Sequence, residues 1–241
     1  MTNSNIEKIG FSGTSQHDIE RAVGETLYTY RKPDSFTELI VTNQELYFSS
    51  PISFNDPFEC YVIEDEKDKE DKYENLIRQG ILCLSVAKPE EKTLMWSHYA
   101  DKHKGLCFEF DKKQFQLFYK NYDKNEEKKQ IDKECCKIKK VDYQTENAVQ
   151  LLTKDKSWEY EEEYRIILHY EIIKKNKHQR EFVFDKLCLK KIYFGVNASL
   201  DTIDRYKLLC TKHLNDETHK VELFKMKLAG RYLMKAKEIE Y

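Results

Sequence analysis

The sequence has little glycine or proline, and several kinds of segment are missing from it. Seven glycines and four prolines in 241 residues exclude a collagen-like or low-complexity chain. No apolar run approaches the roughly 20 residues of a membrane-spanning helix. The start, MTNSNIEKIGFSG, lacks the basic and apolar regions of a signal peptide. We therefore expect a soluble, cytoplasmic protein with no membrane partner.

The sequence has no large excess of either sign of charge, since it contains 43 acidic and 41 basic side chains and has a formal charge of −2. This balance gives no bulk electrostatic reason to bind duplex nucleic acid or an anionic membrane. A local basic patch would still suffice for a nucleic-acid partner. The most basic stretch is the lysine-rich 112–140, which we interpret as an insertion within one fold.

The seven cysteines follow no disulfide or metal-site spacing. Their number is odd, Cys135 and Cys136 are adjacent, and neither a C-x-x-C pair nor an HExxH-type motif is present. Four cysteines lie inside apolar runs such as ILCLSV at 81–86, which predicts buried free thiols. We expect reduced cysteines, as in the cytoplasm, and no bound metal.

Aromatic residues, 13% of the chain, supply the bulk for a core. Apolar runs predict strands at 27–31 (LYTYR), 46–50, 81–86, 105–111, 164–169, 182–185, 189–194 and 221–226. Helices are predicted after Asp34 or Ser35, after Pro89 and after Ser199. The charge run at 64–75 predicts a solvated helix face or loop.

These elements do not alternate strictly, which favours an α+β fold over a doubly wound one. We predict a single α+β domain over 26–241 with a mixed, largely antiparallel sheet flanked by helices. A polar N-terminal extension would occupy 1–25.

The segment SPISFNDPFE at 50–59 predicts a rigid loop, because two prolines restrict the backbone around Asn55 and Asp56. Either these side chains bond their own backbone in an Asx turn, or the loop presents them to a cleft.

The segment LMWSHYADKHKG at 94–105 places Trp96, Ser97, His98 and Tyr99 at the end of a helix. Such side chains can stack on a ligand or hydrogen-bond to it, and a histidine can transfer protons near neutral pH. Core packing of Trp96 and Tyr99 is the structural alternative.

The segment SWEYEEEYRII at 157–167 would, if extended, place Glu159, Glu161, Glu163 and Arg165 on one face. A carboxylate beside aromatic rings can act as a base or stabilise a developing cation. An edge strand protected by its charges is an equally simple interpretation.

We predict that the three segments meet in one cleft, since each has more polar groups beside aromatics than a core tolerates unsatisfied. The groups expected to satisfy one another there are Asn55, Asp56, Ser97, His98, Glu163 and Arg165.

Together with LYTYR and KKIYFG, these segments resemble a bacterial and phage family called domain of unknown function 2971. The likeness extends from about residue 27 to residue 196, and FNDPFE, MWSHYADKHKG and WEYEEEYR are its specific motifs. The family's name implies no chemistry.

The order of motifs is also similar to the layout of the ADP-ribosyltransferase superfamily, which has an Arg or His on its first strand and a catalytic Glu on a late strand. This likeness implies NAD as the substrate, with Arg31 binding its phosphates or ribose. Glu163 or Glu161 would stabilise the ribose oxocarbenium ion as nicotinamide leaves. Tyr47, Ser49 or Tyr99 would hold the nicotinamide. The sequence departs from the common pattern in having no clear Ser-Thr-Ser element.

From motifs and likeness together, the candidate catalytic residues are Glu163, Glu161 and His98. The candidate binding residues are Tyr30, Arg31, Ser49, Asn55, Asp56, Trp96, Tyr99 and Arg165. The expected activity is transfer of ADP-ribose to a protein or nucleic acid by a toxin or anti-phage effector. An antitoxin or other regulatory protein would be a further partner.

Two other classes of function stay open. A non-catalytic module would use an aromatic cleft of Tyr30, Phe54, Trp96 and Tyr99 to bind a nucleotide or a protein. A nuclease, with or without Mg²⁺, would use His98, His103, Asp56, Glu161 and Glu163.

Overall fold

The computed structural model describes residues 25–56, 58–59, 69–120, 130–143, 150–230 and 233–241. The strands in these ranges are β1 (Thr26–Arg31), β2 (Glu45–Tyr47), β3 (Gly80–Ser85), β4 (Leu106–Asp111), β5 (Leu117–Tyr119), β6 (Ile138–Lys140), β7 (Glu163–Leu168), β8 (Glu181–Phe184), β9 (Leu189–Phe194), β10 (Glu222–Gly230) and β11 (Leu233–Ile239). The α-helices are α1 (Ser35–Thr42), α2 (Lys69–Arg78), α3 (Thr93–Tyr99), α4 (Tyr170–Lys175) and α5 (Leu200–His213).

Eight strands form one sheet in the order β11-β10-β9-β4-β1-β3-β7-β6, and three form a second sheet in the order β2-β8-β5. Within the large sheet, neighbouring strands are antiparallel except β9 and β10, which are parallel. Helix α5 joins these two strands, as a parallel pair requires a crossover. The predicted α+β fold with a mixed, largely antiparallel sheet is confirmed.

Alternation along β1 separates the two faces of the large sheet. Leu27 points into the main core, which α1, α5 and the small sheet cover with residues such as Ile40, Leu209 and Phe182. Tyr28 and Tyr30 point to the opposite face, where Met95 and Trp96 of α3 pack against Tyr30 in a second apolar cluster. The second face is the one that α3 covers.

Helix boundaries follow the capping signals. The Asp34 carboxylate accepts a hydrogen bond from the Thr37 amide at 2.9 Å and begins α1, and the Ser199 hydroxyl accepts one from the Thr202 amide at 3.1 Å and begins α5. Pro89, in contrast, begins a short 3₁₀ turn, Pro89–Glu91, and α3 starts only at Thr93 because Lys92 is not helical (φ −118°, ψ 62°).

Three expectations from the sequence are corrected. The strand predicted at 46–50 ends at Tyr47, and Ser49 then makes an isolated bridge to Ile81. SWEYEEEYRII is not extended throughout, because Lys156–Glu161 is a 3₁₀ helix and β7 begins at Glu163. Cys83 is half-buried rather than buried, although all six described cysteines are free.

Some predictions concern residues outside the described ranges. These residues are 1–24 of the predicted N-terminal extension, 64–68 of the charge run at 64–75, and Cys60. Helix α2 accounts for the second half of that charge run. None of the helices in the described ranges combines the length and apolarity needed to cross a bilayer.

Candidate functional site

A cleft of about 240 Å³, open to solvent, lies beside α3 where β1, β3 and the start of β7 come together. Its lining comes from each of the three motif segments, from the strands beneath them and from Lys154, which precedes the third segment. The lining includes Tyr28, Tyr30, Arg31, Tyr47, Ser49, Ser53, Phe54, Asn55, Glu59, Cys83, Ser85, Met95, Tyr99, Lys154, Glu161 and Glu163. The predicted convergence of the three segments on one open cleft is confirmed.

The loop after β2 is held rigidly by its own side chains. The Ser53 hydroxyl donates to the Ser50 carbonyl at 2.7 Å, and the Ser50 hydroxyl donates to the Ile77 carbonyl at 2.6 Å. The Asp56 carboxylate accepts from the Phe58 amide at 2.9 Å, an Asx turn. The loop thereby presents Asn55 to the cleft, where its amide lies 3.4 Å from the Tyr99 hydroxyl.

Beneath the cleft lies a cluster of five charged side chains, each 4% exposed or less: Glu59, Lys154, Glu161, Glu163 and Arg165. We call it the charged cluster. Three carboxylates against two cations give it a formal charge of −1.

Two cations hold the carboxylates of the charged cluster in place. Arg165 donates through Nε to Glu163 at 2.7 Å and pairs with Glu59 through the terminal nitrogen Nη2. Lys154 lies 2.6 Å from Glu161, 3.0 Å from Glu163 and 3.5 Å from Glu59. Because these carboxylates come from chain positions about a hundred residues apart, the cluster fixes the loop after β2 to the start of β7.

Glu161 and Glu163 of the charged cluster differ in the hydrogen bonds that they make besides their ion pairs. Glu161 accepts a 2.5 Å hydrogen bond from the Tyr99 hydroxyl, so it is tied to α3. The backbone amide of Glu163 donates to the Tyr143 hydroxyl at 2.8 Å. The neighbouring Glu162 has a left-handed backbone (φ 45°), which turns its side chain outward to Lys92 at 2.7 Å, and Glu159 is exposed. Glu161 and Glu163 are therefore the two of the four glutamates that line the cleft.

Burial and charge shift the pKa values of these groups in ways that follow from their surroundings. Burial raises the pKa of Glu163, with Lys154 opposing that shift. Burial would lower the pKa of Lys154, but attraction to Glu163 and Glu161 more than reverses this and raises it. Burial and the Glu161 charge raise the pKa of Tyr99. At neutral pH the Tyr99 phenol is thus a hydrogen-bond donor and Lys154 is a cation.

Among the described residues, two cationic side chains line the cleft. Lys154 belongs to the charged cluster, and Arg31, at the end of β1, does not. Its guanidinium makes one hydrogen bond, to the Tyr30 carbonyl at 3.3 Å, and no ion pair with a carboxylate of the described residues. Burial lowers the pKa of Arg31 below its ordinary value, yet an arginine stays charged under all ordinary conditions. Several of its five donors are thus available to a ligand.

Seven of the predicted site residues line the cleft, and four do not. The seven are Tyr30, Arg31, Ser49, Asn55, Tyr99, Glu161 and Glu163. Trp96 is completely buried and donates its indole N–H to the Pro89 carbonyl at 2.9 Å, so the core-packing alternative is correct for it. Asp56 is used in the Asx turn, and Arg165 lies below the cleft, fully buried.

His98 is exposed and lies outside the cleft lining, because it occupies the outer side of α3. Its Nδ1 is 2.8 Å from the Tyr160 hydroxyl, and its ring packs edge-on against Trp158. Ser97 pairs with His103 of its own segment at 3.1 Å, and not with the predicted partners in the other two segments. The histidines and Asp56 of the nuclease hypothesis are thus not brought together with Glu161 and Glu163.

Sequence reasoning missed Lys154, Glu59, Tyr28 and Cys83 as lining residues. Glu59 ends FNDPFE and was within reach of that motif, whereas an isolated lysine such as Lys154 carries no periodic or spacing signal. The described residues contain no group of three or more His, Cys, Asp or Glu side chains placed to hold a metal ion. The three clustered carboxylates face Lys154 and Arg165 instead.

Comparison with known proteins agrees with the motifs. Residues 95–166 match the model of a family described as a protein of unknown function, DUF2971. That match contains MWSHYADKHKG and WEYEEEYR and confirms the resemblance inferred from them. No curated protein and no solved structure gave a significant match.

Proposed function

We propose that the cleft binds NAD and breaks its nicotinamide–ribose bond, as an ADP-ribosyltransferase-like enzyme would. The observation that carries the proposal is that one cleft holds both kinds of charge, since Arg31 lines it without an ion pair among the described residues and the net-negative charged cluster adjoins it. NAD offers a complementary charge to each, since its pyrophosphate is anionic and its nicotinamide ring cationic. A guanidinium suits the pyrophosphate, and excess carboxylate suits a cation that forms on the ribose.

The proposed step balances without a metal or a redox partner. The bond between C1′ of the ribose and N1 of nicotinamide breaks, and its electron pair leaves with nicotinamide. Glu163, held by Arg165 and Lys154, stabilises the positive charge that develops on the ribose. A nucleophile of a protein or nucleic acid, or water, then bonds to C1′ and releases a proton. The size of the cleft, about 240 Å³, suits the nicotinamide riboside half of the substrate, since drug-sized ligands fill roughly 300–1,000 Å³.

Replacing Glu163 by Gln tests the catalytic role. We expect NAD binding to persist and nicotinamide release to fall by about 100-fold or more, as for loss of one electrostatic stabiliser of a transition state. Nicotinamide release is measured chromatographically, NAD binding by calorimetry and folding by thermal unfolding.

The matched control is Glu159→Gln, which removes the same charge from an exposed position of the same segment and should leave nicotinamide release unchanged. Arg31→Gln should instead weaken NAD binding, by roughly 10- to 100-fold for a lost charge-assisted hydrogen bond. Equal nicotinamide release by the wild type and Glu163→Gln would refute the assignment, and absence of NAD binding by the wild type would refute the proposal.

A second candidate, a nucleotide- or protein-binding module without catalysis, is favoured by one observation. Every carboxylate of the charged cluster already has a cationic partner, and burial and the nearby Glu163 raise the pKa of the Cys83 thiol well above its usual value. The cleft thus has no activated nucleophile among its described residues. NAD that binds and is recovered intact after long incubation with the wild type would favour this candidate. For the NAD-cleaving enzyme we propose a toxin or anti-phage role with a protein or nucleic-acid target.

A further inference from the structure

The hairpin of β10 and β11 pairs lysines directly with lysines. The register places Lys225 opposite Lys237 and Lys227 opposite Lys235. Because directly opposed residues share a face and alternate residues do too, all four side chains emerge from one face of the hairpin. We call this set the lysine ladder.

The lysine ladder continues a row that begins in the core. Leu223, next to it on the same face, is completely buried, and its partner across the hairpin is Ile239. Further along the hairpin, the pairs on this face are no longer apolar, and each consists of two lysines. Strand β9 pairs with β10 only as far as Lys225, so Lys227 and Lys235 lie on a two-stranded ribbon that extends past the rest of the sheet.

None of the four ammonium groups has an ion-pair partner in the described part of the chain. Lys227, Lys235 and Lys237 are exposed and take part in no ion pair there. Lys225 is half-buried, and its ammonium donates to the carbonyls of Gly195 at 2.7 Å and Ala198 at 2.8 Å, which holds the base of the ribbon to the turn after β9.

Like charges placed directly opposite on two strands destabilise a hairpin. Charged side chains on an edge strand such as β11 prevent other strands from adding to the sheet. A lysine paired with a glutamate across the hairpin would give the same protection without repulsion between like charges. The arrangement therefore costs stability that edge protection alone does not explain. A partner that brings several negative charges at regular spacing would reverse the cost.

We propose that the lysine ladder binds the phosphate backbone of a nucleic acid. Alternate residues of a strand are about 7 Å apart, so the ladder offers a regular, linear array of cations rather than a compact pocket. A two-stranded ribbon is also narrow enough to enter the major groove of a duplex. Its lysines face away from Met226, which is buried on the opposite face of the hairpin in the apolar cluster beside the cleft. The inference is thus independent of NAD chemistry.

The test compares two triple variants with equal loss of charge. K227Q/K235Q/K237Q removes the exposed part of the lysine ladder, and K174Q/K175Q/K177Q removes three exposed lysines at and just after the end of α4. Binding of short fluorescent single-stranded and duplex oligonucleotides is followed by anisotropy over a range of salt concentrations. Each lost phosphate contact lowers the salt slope of duplex affinity by about 0.9. Between 50 and 200 mM salt, wild-type affinity should thus fall about 40-fold more than that of the ladder variant.

The two oligonucleotide forms distinguish a single strand from a duplex as the source of the phosphates. We also expect the ladder variant to unfold at no lower temperature than the wild type, because its removed charges repel one another. Equal losses in the two triple variants, or no nucleic-acid binding by the wild type, would overturn the proposal. So would a polyglutamate peptide that competes as well as the oligonucleotides, since the hairpin would then be a docking face for acidic protein.

Discussion

Arg165 is the side chain on which the charged cluster depends. It is completely buried, pairs with Glu163 and Glu59, donates to the Leu151 carbonyl at 2.8 Å, and lies 5.2 Å from the centre of the Phe54 ring. It therefore joins β7, the loop after β2 and the segment before β7 beneath the cleft. Sequence reasoning proposed it as a ligand-binding residue, whereas it supports the groups that line the cleft.

Replacing Arg165 by Leu should lower the free energy of unfolding by about 3–5 kcal/mol, because the buried carboxylates would keep only Lys154 as a cation. Urea denaturation measures the loss.

The double variant R165L/E59Q provides the control for that prediction. It removes one cation and one anion, restores the original charge of the cluster, and should be more stable than Arg165→Leu alone. A double variant that is less stable than the single one would show that the cost of Arg165→Leu does not come from unpaired charge.

At the scale of an element, the turn between α3 and β4 sets the position of the helix over the cleft. Asp101, Lys102 and His103 all have positive φ angles, and the amide of His103 returns to the Trp96 carbonyl at 3.1 Å. Gly105 then passes so close to β1 that a Cβ atom there would lie 2.2 Å from the Arg31 carbonyl oxygen. The glycine that ends MWSHYADKHKG is thus required by backbone contact.

Gly105→Ala should destabilise the protein by roughly 1–3 kcal/mol, because the clash is with backbone and the turn before β4 must move away from β1. Thermal unfolding measures the effect. Gly230→Ala is the control, since the nearest atom of the described residues to its added Cβ, from Leu233, would be 3.7 Å away, and we expect little change. Equal effects at the two glycines would contradict this account.

Elements with a repeating apolar pattern were predictable, and those fixed by single contacts were not. The interval Leu189–Phe194 was predicted with its observed bounds, as was the start of α5 after Ser199. The 3₁₀ helix Lys156–Glu161 was missed because alternating aromatics and glutamates imitate a strand, while its cap is one hydrogen bond from the Ser157 amide to Asp155. Strand β11 was missed because its lysines break the apolar pattern.

The same division applies to the candidate site. The three motifs were recognised from their density of polar and aromatic groups, and their convergence followed from the need to satisfy those groups. Lys154 was not predicted, because an ion pair between distant positions leaves no mark on local sequence, whereas Glu59 was overlooked at the end of a recognised motif. His98 was placed wrongly, since composition cannot tell the inner from the outer side of so short a helix as α3.

For the whole molecule, stability should depend on pH through the turn residue His103. Burial lowers the pKa of His103 below 6.5, so the unfolded chain takes up this proton before the folded protein does. Its contribution to stability is therefore present above about pH 6.5 and is lost as the pH falls through the folded-state pKa. Burial raises the pKa of Glu163, and that contribution has the opposite sign, falling as the pH rises above the ordinary glutamate range.

His103→Gln isolates the histidine part. As the pH falls from about 8 to about 5, the unfolding free energy of the wild type should decrease relative to that of this variant. Urea denaturation at both pH values gives the difference. A difference that is constant with pH would show that the His103 imidazole titrates alike in the folded and unfolded protein.

The position of β1 between β3 and β4 affects how soon a newly synthesised chain can fold. Its register joins Tyr28 to Ser85 and Thr26 to Asp111, pairings that span 57 and 85 residues of chain. At a synthesis rate of roughly 5–20 residues per second, the second partner emerges about 4–17 s after β1. Closing such long loops also slows folding once the chain is complete. A newly made chain therefore displays the apolar side chains of its future central strand for seconds, long enough to need protection from other chains.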